Sequence, residues 1–333
     1  MATSIQLSPG IVIDTDGGRA YVMAPEGGVT AVALKNGATL WHSDAAEKPL
    51  LVSGGLLLGQ AMPAESGKGV AVRMLRVDGK GEVASEGVVP LPGGVDPVID
   101  PTAGRGFSLS AEPLDGHAVL RWEFRERPLR GLATGPDEVL PEEVLSGLDP
   151  VPATLEGAPA DAEAAGETDE ETVVRGQVRL LPADGAVQPM VEPFFERAPP
   201  AVPQFPTPRL DVAAEASGAE APEDPLVFQS ADGAHRLRSI PTDSGDDSWT
   251  VYRWDLYETS RSTLLGTIQL HVSFAPFVVA DGRVIVELQP YARVEDGTPT
   301  EEPMQLRAYD LATGDRIWST PVRDIYAVPE PPH

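Results

Sequence analysis

Apolar residues in this chain fall in short runs rather than at a helical period, and most runs end in a turn rich in Gly, Asp or Pro. Such runs and turns predict β-strands joined by hairpins, the pattern of an antiparallel all-β protein. Pro49 to Leu58 reads as strand, Ser53-Gly54-Gly55, strand; Pro276 to Ile285 reads as strand, Asp281-Gly282, strand. Weaker copies begin at Pro9 (Ile11-Val12-Ile13, then Asp16-Gly17), at Pro97 (Val98-Ile99) and at Pro225 (Leu226-Val227-Phe228, then Asp232-Gly233).

A second hairpin follows in the first and last units. Ala31 to Trp41 aligns without gaps on Ala308 to Trp318, with Ala, Leu, Gly and Trp shared at four of eleven positions. In both, a strand enters a turn at Gly37 or Gly314 and a second strand leaves it carrying Trp41 or Trp318. Two hairpins per unit make a four-stranded sheet. The unit starts at 9, 49, 97, 225 and 276 are 40, 48, 128 and 51 residues apart. Three of these spacings suit the blade of a β-propeller. The expected fold is therefore all-β, a β-propeller of about five four-stranded antiparallel blades. The 128-residue gap leaves room for a sixth.

That gap holds two unusual segments. Residues 131–172 contain twelve Asp or Glu and no Lys, Arg or His, nearly half of the net charge of −26. Like charges at this density repel, so an acidic loop insertion is expected, with Pro141-Glu142-Glu143-Val144-Leu145 able to start a short helix. Closing so long a loop in place of a tight turn costs only about 2 kcal/mol more, which a stable sheet tolerates. Residues 199–224, with six Pro and five acids, read as an extended linker. The implied organisation is blades one to three begun over 1–130, the acidic insertion over 131–172, and a hairpin completing blade three over 173–198. The linker over 199–224, the last two blades over 225–328 and a tail over 329–333 follow.

The run Ala308-x-Asp310-x-x-Thr313-Gly314-x-x-x-Trp318 resembles the repeat signature of PQQ-like (quinoprotein-type) β-propellers. The resemblance implies that Trp318, and Trp41 with it, packs against the neighbouring blade, and that the Asp310, Thr313 and Gly314 turn orders the blade corner. The first unit keeps Ala31, Gly37 and Trp41 but carries Ala33 and Asn36 where the signature has Asp and Thr. The likeness covers roughly 200 residues, sharp at the two ends and faint between them. Quinone-dependent relatives are much longer, carry more blades and bound calcium, and often have a Cys pair over the cofactor. This chain has no Cys, so no cofactor is expected.

Composition narrows the function further. An excess of 51 acids over 25 bases opposes nucleic acid and anionic membranes as partners, because both are held by Lys and Arg. No apolar run is long enough to span a bilayer, and the first residues lack a secretory pattern. A cytoplasmic location follows for the chain as written, an extracytoplasmic one if its N-terminus was trimmed. Asp14-Thr15-Asp16-Gly17-Gly18 opens like a calcium loop, but Gly18 and Pro25 stand where further oxygen ligands belong, so a hairpin turn is expected and no metal site. His42 and His271 each precede the first strand of the next unit, which would set them near an end of a central channel. No nucleophile elbow, P-loop or dinucleotide fingerprint is present. The reading is a non-catalytic scaffold that binds a protein partner, a basic one for the acidic arm. A small-ligand sensor or quinoprotein-like enzyme using the channel is the alternative, and a structural subunit of a larger assembly a third.

Overall fold

The computed structural model describes residues 4–61, 69–93, 95, 105–114, 116–126, 172–190, 226–242, 251–261, 263–295 and 298–324. Among the described residues the strands form five antiparallel sheets of four or five strands and one two-stranded hairpin. Blade 1 holds β1 (Ser4–Ser8), β2 (Ile11–Asp14), β3 (Arg19–Met23), β4 (Val29–Ala33) and β5 (Thr39–Ser43) in that order. Blade 2 holds β6 (Lys48–Ser53), β7 (Leu56–Gln60), β8 (Gly69–Arg76) and β9 (Val83–Pro90). Blade 3 holds β10 (Arg105–Leu114), β11 (His117–Glu126), β12 (Thr172–Leu180) and β13 (Val187–Pro189). Blade 4 holds β14 (Leu226–Gln229), β15 (His235–Thr242), β16 (Val251–Glu258) and β17 (Leu264–Leu270). Blade 5 holds β18 (Phe277–Ala280), β19 (Arg283–Leu288), β22 (Gln305–Asp310) and β23 (Arg316–Pro321), with the separate hairpin β20 (Tyr291–Glu295) and β21 (Thr298–Glu302) inserted before β22.

The sheets pack face to face in a ring. Val12, Tyr21 and Trp41 of blade 1 share an apolar core with Val52, Leu57 and Leu75 of blade 2. Val72 and Met74 of blade 2 pack with Leu120 and Trp122 of blade 3. Trp254 and Leu256 of blade 4 pack with Phe277 and Val286 of blade 5, and Ile285 and Trp318 of blade 5 close on Ile13 and Leu34 of blade 1. The first strands converge, since β6 touches both β2 and β10. This is a five-bladed β-propeller, stabilised by burial of large side chains worth roughly 1.5–3 kcal/mol each. Among the described residues no apolar cluster joins blades 3 and 4.

Three details differ from the sequence reading. Blade 1 carries a fifth strand, β1, beyond the unit's own first strand. The first strand of blade 3 is β10, beginning at Arg105, eight positions after Pro97; residues 96–104, with Val98-Ile99, lie outside the described residues. The hairpin β20–β21 lengthens blade 5 where two strands were expected to follow directly. Residues 131–171 and 199–224 also lie outside the described residues, as do Pro141 to Leu145.

Candidate functional site

The blade corners account for the ring. Ala31 pairs with Trp41 and Ala308 with Trp318, each followed by a register shift at Val32 or Tyr309, so the two aligned segments are structural equivalents. Trp318 Nε1 donates to the Leu34 carbonyl of blade 1 at 2.9 Å, and Trp41 Nε1 to the Val77 carbonyl of blade 2 at 3.3 Å. Each indole rests on the corner glycine of the blade it enters. A Cβ on Gly37 would lie 2.6 Å from the Trp318 Cβ, and one on Gly81 2.7 Å from the Trp41 ring. Gly37, Gly81, Gly185 and Gly314 hold φ of 70°, 71°, 73° and 80°, a left-handed conformation costly for residues with a Cβ. Asp310 Oδ1 accepts the amides of Ala312 and Thr313, and Thr313 Oγ1 accepts that of Asp315, tying the blade 5 corner; in blade 1 Asn36 Oδ1 accepts from Ala38.

The other corners use smaller groups. Ser85 stands four residues past Gly81, where Trp41 stands past Gly37, and its hydroxyl donates to the Pro182 carbonyl of blade 3 at 2.9 Å. Gly314 faces the Thr267 carbonyl of blade 4, and Gly266 approaches the Leu311 carbonyl so closely that no side chain fits. The indole of Trp254 lies on an inner strand of blade 4 and donates to Val272 at 2.9 Å.

At the centre, β1 lies along the first strand of blade 1 and reaches blade 2, where Val52 N donates to Ser4 Oγ at 3.0 Å. A cavity of about 660 Å³ opens beside it, lined among others by Ser4, Gln6, Leu51, Ser110, Glu112 and Asp232, so blades 1 to 4 all contribute. Glu112 is taken by Arg121 at 2.7 Å, and Asp232 accepts from the Ser230 hydroxyl and the Ala234 amide. At the other end of β1, Glu287 is 2 % exposed and accepts from Gln289 at 2.7 Å. Burial pushes its carboxyl up, against the lowering from Ser8 and Gln289, and the Asp324 charge adds to the rise. Burial likewise pushes the Tyr21 hydroxyl up to about 12, against the opposing influence of Arg19.

Blades 3 and 4 each carry a face of different chemistry. Side chains alternate across a strand. Leu120, Trp122 and Phe124 of β11 face blade 2, so Val119, Arg121, Glu123 and Arg125 face the other way. On β12 the same alternation puts Arg175, Gln177 and Arg179 on that face. Arg125 and Arg175 both bond Glu123. Burial alone would raise the Glu123 carboxyl, but these hydrogen bonds and charges outweigh it and the net shift is downward. In blade 4, Leu237, Trp254 and Leu256 face blade 5, which leaves Arg236, Arg238, Arg253 and Asp255 on the opposite face of the sheet. Asp255 accepts from Arg253 and from Thr267. Arg121 Nε and Arg238 Nε are buried without a hydrogen bond among the described residues.

Neither corner device is found between blades 3 and 4 among the described residues. Pro189, four residues past Gly185, is exposed, and the receiving turn of blade 4 closes from Glu258 to Thr263 through Thr259, Ser260 and Arg261 without a glycine. Alternating charge in Arg121-Trp122-Glu123-Phe124-Arg125 and in Arg236-Leu237-Arg238 was the available sequence signal for these arginine-bearing faces. Periodicity shows that one face is charged but not which neighbour it meets.

His42 lies on β5, at the opposite edge of its sheet from β1, directly across from Thr30. Its Nδ1 pairs with Thr30 Oγ1 and its Nε2 with Asp44, both at 3.0 Å. His271 is exposed just past β17, and neither imidazole belongs to the residues lining the cavity. Asp14 Oδ1 accepts the Gly17 amide at 2.9 Å within the β2–β3 hairpin turn. No helix among the described residues is long and apolar enough to cross a membrane.

No protein-family model matches the chain, and neither does any curated protein. Solved structures it is similar to include the computationally designed Ika8 protein, at 9% identity and TM-score 0.27 over 96% of this chain and 87% of that one. A quinohemoprotein alcohol dehydrogenase of Pseudomonas putida is similar at 11% identity and TM-score 0.22 over 91% of this chain, which spans 57% of that protein. The β-propeller domain of a Myceliophteria thermophila protein is similar at 8% identity and TM-score 0.23, over 96% and 88% of the two chains. The propeller architecture rests on the strand order and blade packing described above.

Proposed function

We propose that the chain is a non-catalytic interaction module whose acidic insertion engages a basic protein partner. The carrying observation is blade 3. β11 and β12 stay in register from Ala118 and Leu180 through to Glu126 and Thr172, so residues 127–171 leave and re-enter the sheet at adjacent positions. The twelve acids of residues 131–172 are thereby tethered to a rigid sheet without interrupting it. Charge concentrated in this way attracts a basic partner and orients its approach. The corner from Asp310 to Trp318 supports a repeat of the PQQ-like type, used here as scaffold.

The test is titration of a labelled Lys- and Arg-rich peptide with the full chain. Replacing residues 131–171 by a short Gly-Ser linker is expected to weaken binding about tenfold or more at low salt, with the circular dichroism unchanged. Equal affinity after the replacement overturns the reading. The second reading is a small ligand in the central cavity, whose volume of about 660 Å³ lies within the range of small-molecule sites. A thermal upshift with calcium and a quinone would favour it.

A further inference from the structure

We propose that Asn36 is a latent deamidation site, held closed by the seating of Trp318 at the joint between blades 5 and 1. Asn36 is the only asparagine of the chain, it is exposed, and a glycine follows it. Asparagine is chemically labile, and the missing Cβ of the next residue leaves that residue's amide nitrogen open to the side-chain carbonyl carbon. In the first step a bond forms from Gly37 N to Asn36 Cγ and the bond from Cγ to Nδ2 breaks. The Gly37 amide proton leaves with Nδ2 as ammonia, and a cyclic imide remains. Water then opens the imide at either of its carbonyls. Attack at Cγ gives aspartate. Attack at the main-chain carbon gives isoaspartate, whose main chain runs through the former side chain and is one carbon longer.

The folded corner opposes the first step. Gly37 N donates to the Ala33 carbonyl and Ala33 N to the Ala38 carbonyl, both at 2.9 Å, so the nucleophile is committed within a closed turn. Asn36 Oδ1 accepts the Ala38 amide at 3.1 Å, which ties the carboxamide to a different nitrogen. Trp318 covers the glycine, its Cβ and Cγ lying 2.6 and 2.7 Å from where a Cβ on Gly37 would sit. The two products then differ in what they do to the joint. Blade 3 carries Asp184-Gly185 at the same corner position, with Gly185 N donating to the Leu181 carbonyl and Asp184 Oδ1 accepting the Ala186 amide, both at 2.9 Å. Aspartate at position 36 therefore reproduces a corner this protein already builds. Isoaspartate instead lengthens the main chain just before the glycine on which the indole rests, where even a Cβ finds no room, and so keeps Trp318 from reseating. Blade 5 has Thr313 at this position and lacks the reactive amide. A transient opening of this one joint is thereby converted into a permanent one.

The experiment incubates the full chain at mildly alkaline pH and follows position 36 by mass spectrometry of its peptides, with fragmentation that separates aspartate from isoaspartate. Deamidation in the folded chain is expected to run about tenfold or more slower than in a free peptide of residues 31–41, because only the opened fraction reacts. Trp318→Ala is expected to raise the rate in the full chain about tenfold. Leu109→Ala, which thins the core between blades 2 and 3, is expected to raise it less. The comparison with the free peptide uses the unaltered chain and keeps the test valid if a variant fails to fold. Equal rates in chain and peptide, or no acceleration in Trp318→Ala, overturn the proposal. So does equal acceleration in Leu109→Ala, because global unfolding rather than this joint then governs access. Asn36→Asp is expected to melt with the parent, and aged chain enriched in isoaspartate to melt below both. An Asn36→Asp chain that melts as low as the aged one overturns the division between the two products.

Discussion

The boundary between blades 5 and 1 and the boundary between blades 3 and 4 are built from the same four-stranded sheets and share almost no chemistry. At the first, Trp318 crosses to the Leu34 carbonyl and rests on Gly37, and fourteen buried residues from the two blades form one apolar core. At the second, the docking position is Pro189, the receiving turn has no glycine, and each sheet carries arginines on the face away from its apolar core. A propeller ring therefore does not need equal adhesion at every joint. Among the described residues four joints are apolar, and the faces at the fifth carry polar groups that would be costly to bury unpaired.

The contrast can be broken most directly at the indole. Trp318→Ala removes the ring and its hydrogen bond from the closing joint, with an expected loss of about 3–5 kcal/mol in urea denaturation. Arg179→Gln on blade 3 is expected to stay within about 0.5 kcal/mol of the parent, as a surface substitution does. Near-equal losses would erase the distinction between the two boundaries. Gly37→Ala comes next, at about 1–3 kcal/mol, because the new Cβ meets Trp318 and the backbone holds φ near 70°. Thermal denaturation should place its loss below that of Trp318→Ala.

The smallest effect sharpens the comparison through pH. Glu287, buried in blade 5 beside the end of β1, holds its proton more tightly folded than unfolded. Stability on its account is therefore full below the ordinary carboxylate range and falls as pH rises through the raised value. Glu287→Gln should stabilise the chain at neutral pH and give no gain in acid, measured by urea denaturation at both. A gain of equal size at both pH values would show that packing, not ionisation, is responsible.

The blade corners were legible because Ala31 to Trp41 and Ala308 to Trp318 share spacing as well as residues, and spacing sets register. The Asp-Gly turns were legible for the same reason. β1 was not, because Ile5-Gln6-Leu7 is too short to stand out from any other edge segment. The start proposed at Pro97 lies outside the described residues; the described part of blade 3 begins at Arg105, which carries no apolar run to mark it. The arginine-bearing faces of blades 3 and 4 were not singled out, because Arg179 and Arg238 each look like the solvent face of an ordinary half-buried strand.

The contact from Trp318 to Leu34 links residues 284 positions apart. A ribosome must therefore deliver some 284 further residues after Leu34 before that first sheet can receive its final neighbour. Until then the apolar flank of that sheet stays open to water and to other nascent chains. Closing so long a circuit is slow, and the interval before it closes is when this protein is most prone to aggregate.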